Sequence, residues 1–228
     1  MVILALDTTT SAGSCALVVN GAVEREEASD VSLPPATRLP SDLMSILEHG
    51  SVKLGDVDAF AVATGPGSFT GLRIGIATMQ GLAFAAGKPL IGVSALDALA
   101  RIARAEAAGR RIATWVDAWR GEVYAALYED ERELQGPVVA RPDKVLNELT
   151  GTSTLFVGDG ARTYRDDIHR TMGEHGRVAA MPTPLLAGTI ATLAAGRAGD
   201  TYSPPHAIRP LYVRRTDAEL ARDSRAAG

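Results

Sequence analysis

One order of patterns runs through this chain twice, and it constrains the fold more than any single motif does. "VILALDTTT" reads as a strand ending in Asp7 and hydroxyls; "SCALVV", the turn Asn20-Gly21 and "AVEREEA" follow. Asn-Gly between two strand-like runs is a strong hairpin signal, because both central residues of a type I′ turn need positive φ. The opening is therefore three antiparallel strands, over about 2–8, 14–19 and 22–28. A helix over 37–49 comes next, closed by Gly50, then a buried strand over about 57–64 and a glycine loop. An apolar helix over 71–87, the short strand "LIGV" and the helix "SALDALARIARAEAAG", with Ser94 as its N-cap, complete this half.

"RIATWVDAWRGEVYAALYEDERELQGPVVA" then begins the order again, as three strands with Asp117 where the first half has Asp7. "PDKVLNELT" reads as a helix, "TLFVGDGA" as a strand with a glycine turn, and "ARTYRDDIHRTMG" and "PLLAGTIATLAAG" as helices. The resemblance between halves is one of order and not of residues. It predicts two α/β lobes, 1–104 and 105–199, each a mixed β-sheet flanked by helices, with a ligand cleft between them. Residues 200–228, with Pro204, Pro205 and Pro210, read as an extended segment returning across the first lobe and ending in a polar tail.

Charge and cysteine content narrow the partners. The net charge is −4 and the pI about 5.6, which argues against unaided nucleic-acid binding, where phosphate neutralisation supplies most of the affinity. With Cys15 as the one cysteine no intramolecular disulfide forms, and a reducing compartment fits. The apolar start lacks a basic leader, and the apolar run from Leu72 to Ala86 is broken by Arg73, Gln80 and glycines, so neither reads as a signal peptide or a membrane span. A cytoplasmic protein is expected.

The loop "TGPGSFTGLRIG" has the placement of a phosphate cradle: strand, glycine loop, helix. Its details are those of neither nucleotide motif. Gly71-Leu72-Arg73 stands where a Walker loop has Gly-Lys-Ser/Thr, three residues separate Gly67 from Gly71, and Pro66 lacks an N–H. A tight turn, an anion contact and a partner surface all remain open. The helix after it has Arg73 as its one ionisable residue and small residues four apart, Gly71 with Gly75 and Gly81 with Ala85. Such a helix buries both faces, either within its lobe against helix 37–49 or at a subunit interface, the reading favoured here. Leu72, Ile76, Met79 and Ala83 are the packing candidates, with Arg73 facing an anion or carboxylate at the rim.

Asp7 with Thr8 and Thr9, and Asp117 in the matching turn, read either as turn caps or as contacts to a nucleotide's phosphates or Mg²⁺. Gly158 and Gly160 form a further turn that could face a base or ribose. His49, His169, His175 and His206 have no metal-ligand spacing, Cys15 reads as a small buried hydrophobe, and Ser68 is outside a G-x-S-x-G elbow. The pattern offers a cleft but no nucleophile, general base or metal cage, as in a degenerate member of an enzyme fold.

Taken together, "ILALDTTT", "GPGSFTGLRIG", "QGLA", "IGVSALDALA", "VDAWRGEVYAALY", "VGDGA" and "PLYVRR" resemble, in order, the landmarks of the TsaB (YeaZ) family over residues 1–214. The resemblance implies an actin-like (ASKHA) fold of two RNase H-like lobes, and a non-catalytic subunit that pairs with TsaD. It implies support of threonylcarbamoyl transfer to adenosine 37 of tRNAs reading ANN codons. TsaD's His-x-x-x-His metal motif has no counterpart here. The family's dimer surface maps to helices 37–49 and 71–87, hence Leu39, Leu43, Ile46, Leu72, Arg73, Gly75, Ile76, Met79 and Ala83 as interface residues. It further implies a homodimer when alone, TsaE joining through the TsaB–TsaD pair, tRNA contact only through the complex, and no intrinsic cofactor. ATP or ADP is expected only at the junction with TsaD. One departure is "SLPPATRLP", which lacks the histidine that often opens the family's first long helix. The competing expectation is an autonomous ATPase or phosphotransferase of the same fold, with Asp7 and Asp117 facing the phosphates.

Overall fold

The computed structural model describes residues 1–10, 13–29, 35–197 and 204–214. Strands β1 (Val2–Asp7), β2 (Ser14–Val19) and β3 (Ala22–Ala28) form the first meander. Asn20 and Gly21 both take positive φ at its hairpin, as the dipeptide requires. Helix α1 (Pro35–His49) leads to β4 (Ala59–Gly65), α2 (Phe69–Ala86), β5 (Leu90–Ser94) and α3 (Ala95–Ala107). The Ser94 side chain caps α3 by accepting from the amides of Leu96 and Asp97.

The second half repeats the plan with β6 (Arg111–Asp117), β7 (Val123–Glu129), β8 (Arg132–Ala140), α4 (Pro142–Leu149) and β9 (Thr154–Val157). It ends with α5 (Asp159–Thr163), α6 (Arg165–Met172), β10 (Gly176–Val178) and α7 (Ala187–Gly196). Strand β10 has only three residues and no sequence pattern to announce it. The sheets are five-stranded, ordered β3-β2-β1-β4-β5 and β10-β9-β6-β7-β8. In each, the meander pairs antiparallel, and the remaining two strands run parallel to its first strand.

Side-chain alternation along the strands builds five layers. Leu4, Leu6, Leu17, Phe60 and Val62 face outward under α1 and α2. Ile3, Ala5, Ala16, Ala59, Ala61 and Ala63 face inward, where α3 and α7 lie between the two sheets. The alanines let α7, itself presenting Ala187, Ala191 and Ala194, sit close to the sheet. On the far side, Trp115, Phe156, Leu146 and Ile168 form a third cluster under α4 and α6.

Residues 204–212 run along the first lobe, and Arg214 then pairs with Glu122 of the second. The Gln80 amide donates to the carbonyls of Pro205 and Ile208, both at 3.0 Å, and the Leu211 amide donates to the Thr64 carbonyl at 2.7 Å. The remainder of the predicted return segment, 200–203 and 215–228, lies outside the described residues. Among the described residues no helix is long and apolar enough to cross a membrane.

Candidate functional site

The two hairpin aspartates end β1 and β6, the first strands of their sheets, at the mouth between the lobes. A cleft of about 410 Å³ opens there. The first lobe supplies Thr8, Thr9, Thr10, Arg38, Ser68, Thr70 and Gly71; the second supplies Val116, Asp117, Trp119 and Asp159. Of the predicted nucleotide contacts, Thr8, Thr9 and Asp117 therefore line the cleft.

Asp7 does not. It is fully buried, and its carboxylate is spent on its own turn. Oδ1 accepts from the Thr9 amide (2.8 Å) and hydroxyl (2.6 Å), and Oδ2 accepts from the Thr10 hydroxyl (2.9 Å). Burial pushes this carboxyl above its ordinary value, while the Thr9 and Thr10 bonds pull it back. Of the two readings of Asp7, turn cap and phosphate contact, these hydrogen bonds are those of the turn cap: Asp7 is the strut of the β1–β2 turn.

Gly158 and Gly160 are not among the residues that line the cleft. A Cβ at Gly158 would sit 2.1 Å from the Trp115 carbonyl oxygen, and one at Gly160 would sit 3.0 Å from the Val116 carbonyl carbon. They let the start of α5 press against β6. The cleft residue of that turn is Asp159, which sequence reasoning missed. Its Oδ1 accepts from the amides of Asp117 (3.0 Å) and Gly160 (2.8 Å). Burial raises its carboxyl, and those two bonds oppose the rise. Asp117 remains half-exposed and accepts from the Trp119 amide at 2.9 Å.

The glycine loop owes its composition to close approach. A Cβ at Gly67 would lie 2.5 Å from the Thr9 carbonyl oxygen, at Gly71 2.3 Å from that of Thr8, and at Gly75 2.3 Å from Thr8 Oγ1. No side chain fits where the β1–β2 turn crosses the start of α2. Ser68 caps that helix, accepting from the Gly71 amide at 3.2 Å.

The predicted interface side chains lie elsewhere than expected. Leu39, Leu43, Ile46, Leu72, Ile76, Met79 and Ala83 are buried in the first lobe's own outer core, and Gly75 is buried beside them. Replacing Gly75 or Met79 by a charged residue would therefore unfold the lobe and not merely block a contact. The apolar stripe reports burial against the sheet. What α1 and α2 present outward is Met44 (45% exposed) and Phe84 (82% exposed), together with the exposed Ala77, Gly81 and Ala85. Arg73 is exposed but committed to the C-terminal segment: its Nε donates to the Tyr212 hydroxyl (2.9 Å), and its guanidinium lies 3.9 Å from the Phe69 ring centre.

A second, apolar pocket of about 280 Å³ adjoins the cleft, walled by Phe69, Leu72, Tyr124 and Leu211 to Arg214, with Trp119 shared between the two. Trp119 is 56% exposed and sits at positive φ in the β6–β7 turn.

A family model described as TsaD, tRNA N6-adenosine threonylcarbamoyltransferase, matches residues 36–181. The chain is 30% identical to the tRNA threonylcarbamoyladenosine biosynthesis protein TsaB of Haemophilus influenzae, over 94% of each chain. It is 37% identical to the TsaB protein of Escherichia coli, over 73% of this chain and 74% of that one. Among solved structures, YeaZ from Pseudomonas aeruginosa superposes with a TM-score of 0.79 at 31% identity, covering 92% of this chain and 99% of that one. The two mixed sheets with flanking helices are those of the actin-like fold.

Proposed function

The chain belongs to the TsaB (YeaZ) family, within the wider TsaD family, and takes part in tRNA threonylcarbamoyladenosine biosynthesis; from that premise we propose that it is the non-catalytic partner of TsaD. In this reading it dimerises with TsaD and supports threonylcarbamoyl transfer to adenosine 37 of tRNAs reading ANN codons. It forms a homodimer when alone, TsaE joins through the pair, and tRNA is reached only through the complex. ATP or ADP binds at the junction with TsaD and not as an intrinsic cofactor, and the complex works in the cytoplasm.

The observation that carries this reading is the outer face of α1 and α2. Phe84 is 82% exposed on a helix whose neighbouring outward positions, Ala77, Gly81 and Ala85, are small. A Cβ at Gly81 would meet nothing within 4 Å, so another helix has room to approach there. A non-catalytic role is supported by the chain's lack of a His-x-x-x-His motif. It is supported also by Asp7 being tied into its own turn. The test is light scattering on a sizing column with TsaD from the same source. Wild type is expected to form a one-to-one complex and Phe84→Glu to stay apart, with both chains equally folded. Co-elution of Phe84→Glu at wild-type stoichiometry would sink the proposed surface.

A further inference from the structure

The C-terminal segment touches both lobes, and neither the fold nor the proposed pairing accounts for that. Its grip on the first lobe is broad. The Gln80 amide holds the carbonyls of Pro205 and Ile208, and the Leu211 amide holds the Thr64 carbonyl. The Tyr212 hydroxyl accepts from Arg73 Nε at 2.9 Å, and the Tyr212 ring lies 5.5 Å from that of Phe69, centre to centre.

Two residues later the segment crosses to the second lobe at one side chain. Arg214 Nη2 donates to Glu122 Oε2, and the guanidinium lies 5.8 Å from the Tyr124 ring centre. The two side chains of the pair are 23% and 33% exposed, so salt screens them less than it would a surface pair. Glu122 closes the β6–β7 turn, its amide bonded to the Trp119 carbonyl, and that turn carries Asp117 and Trp119 to the cleft. The crossing spans a gap and not a packed seam. Beside it lies the apolar pocket, with Phe69 and Leu72 on the first-lobe side and Trp119 and Tyr124 on the second. Side chains that line a gap lack dispersion contacts across it, so the pocket itself does little to hold the lobes together. The lobes otherwise meet through the packed layer of α3 and α7 between the sheets, the kind of layer about which lobes turn.

We propose that residues 204–214 are a latch: anchored along the first lobe, they hook the second through Arg214 and hold the cleft at one width. When the hook is released, the lobes turn about the layer of α3 and α7, and the cleft and the apolar pocket, which share Trp119, widen together. A half-buried ion pair and a cation–π contact together favour the latched form by roughly tenfold. The open form is then a minority that one substitution brings into view. The latch lies within one chain and stands whether or not that chain pairs with TsaD.

Electron–electron distance measurement between spin labels on the full chain tests this. The labels sit at Ser41→Cys on α1 and Lys144→Cys on α4, both exposed, in a Cys15→Ala background. One narrow distance distribution is expected with the latch intact. Arg214→Ala and Glu122→Ala should each add a longer distance, the two together adding no more than either alone. Exchanging the pair, Glu122→Arg with Arg214→Glu, should restore most of the narrow population. Arg209→Ala, which removes an exposed charge from the same segment, should leave the distribution as it was. A circular dichroism melt of each variant separates loosened lobes from an unfolded chain, and Glu122→Ala keeps the test decisive should Arg214→Ala fold poorly. Two distances with the latch intact, an unchanged distribution in folded Arg214→Ala or Glu122→Ala, or equal broadening by Arg209→Ala overturns the latch.

Discussion

In the first lobe, the strand beside β1 runs through a glycine loop into a helix of 18 residues; in the second, the strand beside β6 runs through Gly158 into a helix of only 5. The strand orders around these points are the same. So is the hairpin aspartate, although Asp7 is fully buried and consumed by its turn while Asp117 keeps a face on the cleft. The difference shows how one scaffold, used twice, divides its work. The long apolar α2 gives the first lobe a broad outer layer with α1 and an outward face of small residues around Phe84. The short α5 gives the second lobe a compact cleft wall, with Asp159 tying the strand end to the helix start.

Four contrasts break or sharpen this comparison. The largest effect is expected at Gly71, where a Cβ would collide with backbone that has no room to move. Gly71→Ala should cost about 3 kcal/mol or more in denaturant unfolding, whereas Gly160→Ala in the second lobe, with a 3.0 Å approach, should cost about half that. Next come the aspartates. Asp7→Ala leaves three donors of its turn unpaired and should cost about 3 kcal/mol, while Asp117→Ala, which frees one exposed amide, should cost under about 1 kcal/mol. Similar losses at both sites would show the two turns to be mechanically equivalent.

The third effect is a slope. Burial raises the Asp159 carboxyl above its unfolded value of 3.8, so the folded chain holds this proton more tightly than the unfolded one. The carboxyl therefore favours folding least once pH has climbed from 3.8 through the raised value. Asp159→Asn, which keeps an oxygen for the Asp117 and Gly160 amides, should lose that part of the pH dependence and gain stability relative to wild type at neutral pH. A pH series of melting temperatures with unchanged slope would contradict it. The smallest effect belongs to Phe84→Ala, expected to change stability by no more than about 0.5 kcal/mol, because its ring contributes to the outer surface and not to the core.

Much of the architecture was legible because it is written in local signals. Asn20-Gly21 demanded a hairpin, Ser94 a helix start, and the recurrence of an aspartate-ended strand two similar lobes. Strand β10 was not legible: three residues paired to an edge leave no periodicity. Arg38 was missed for a related reason. One arginine on an amphipathic helix reads as solvated, and only the fold places it under Gly13 with its charge out of water. The cleft was half legible. Thr8, Thr9 and Asp117 were foreseen, but the glycine turn after β9 concealed that Asp159, and neither glycine, faces the opening.

The sequence by itself determined the elements other than β10, their order, the family and which side of each helix is apolar, since these depend on residue spacing and turn chemistry. Which neighbour covers that apolar side was decided only by the tertiary structure. Leu39, Leu43, Ile46, Leu72, Ile76, Met79 and Ala83 form a stripe that would look the same facing a partner as facing a sheet. The hydrophobic effect is non-directional and rewards burial without specifying the surface that provides it. In this chain the sheet provides it, and the residues on the far side of α1 and α2, Met44 and Phe84 among them, stay exposed.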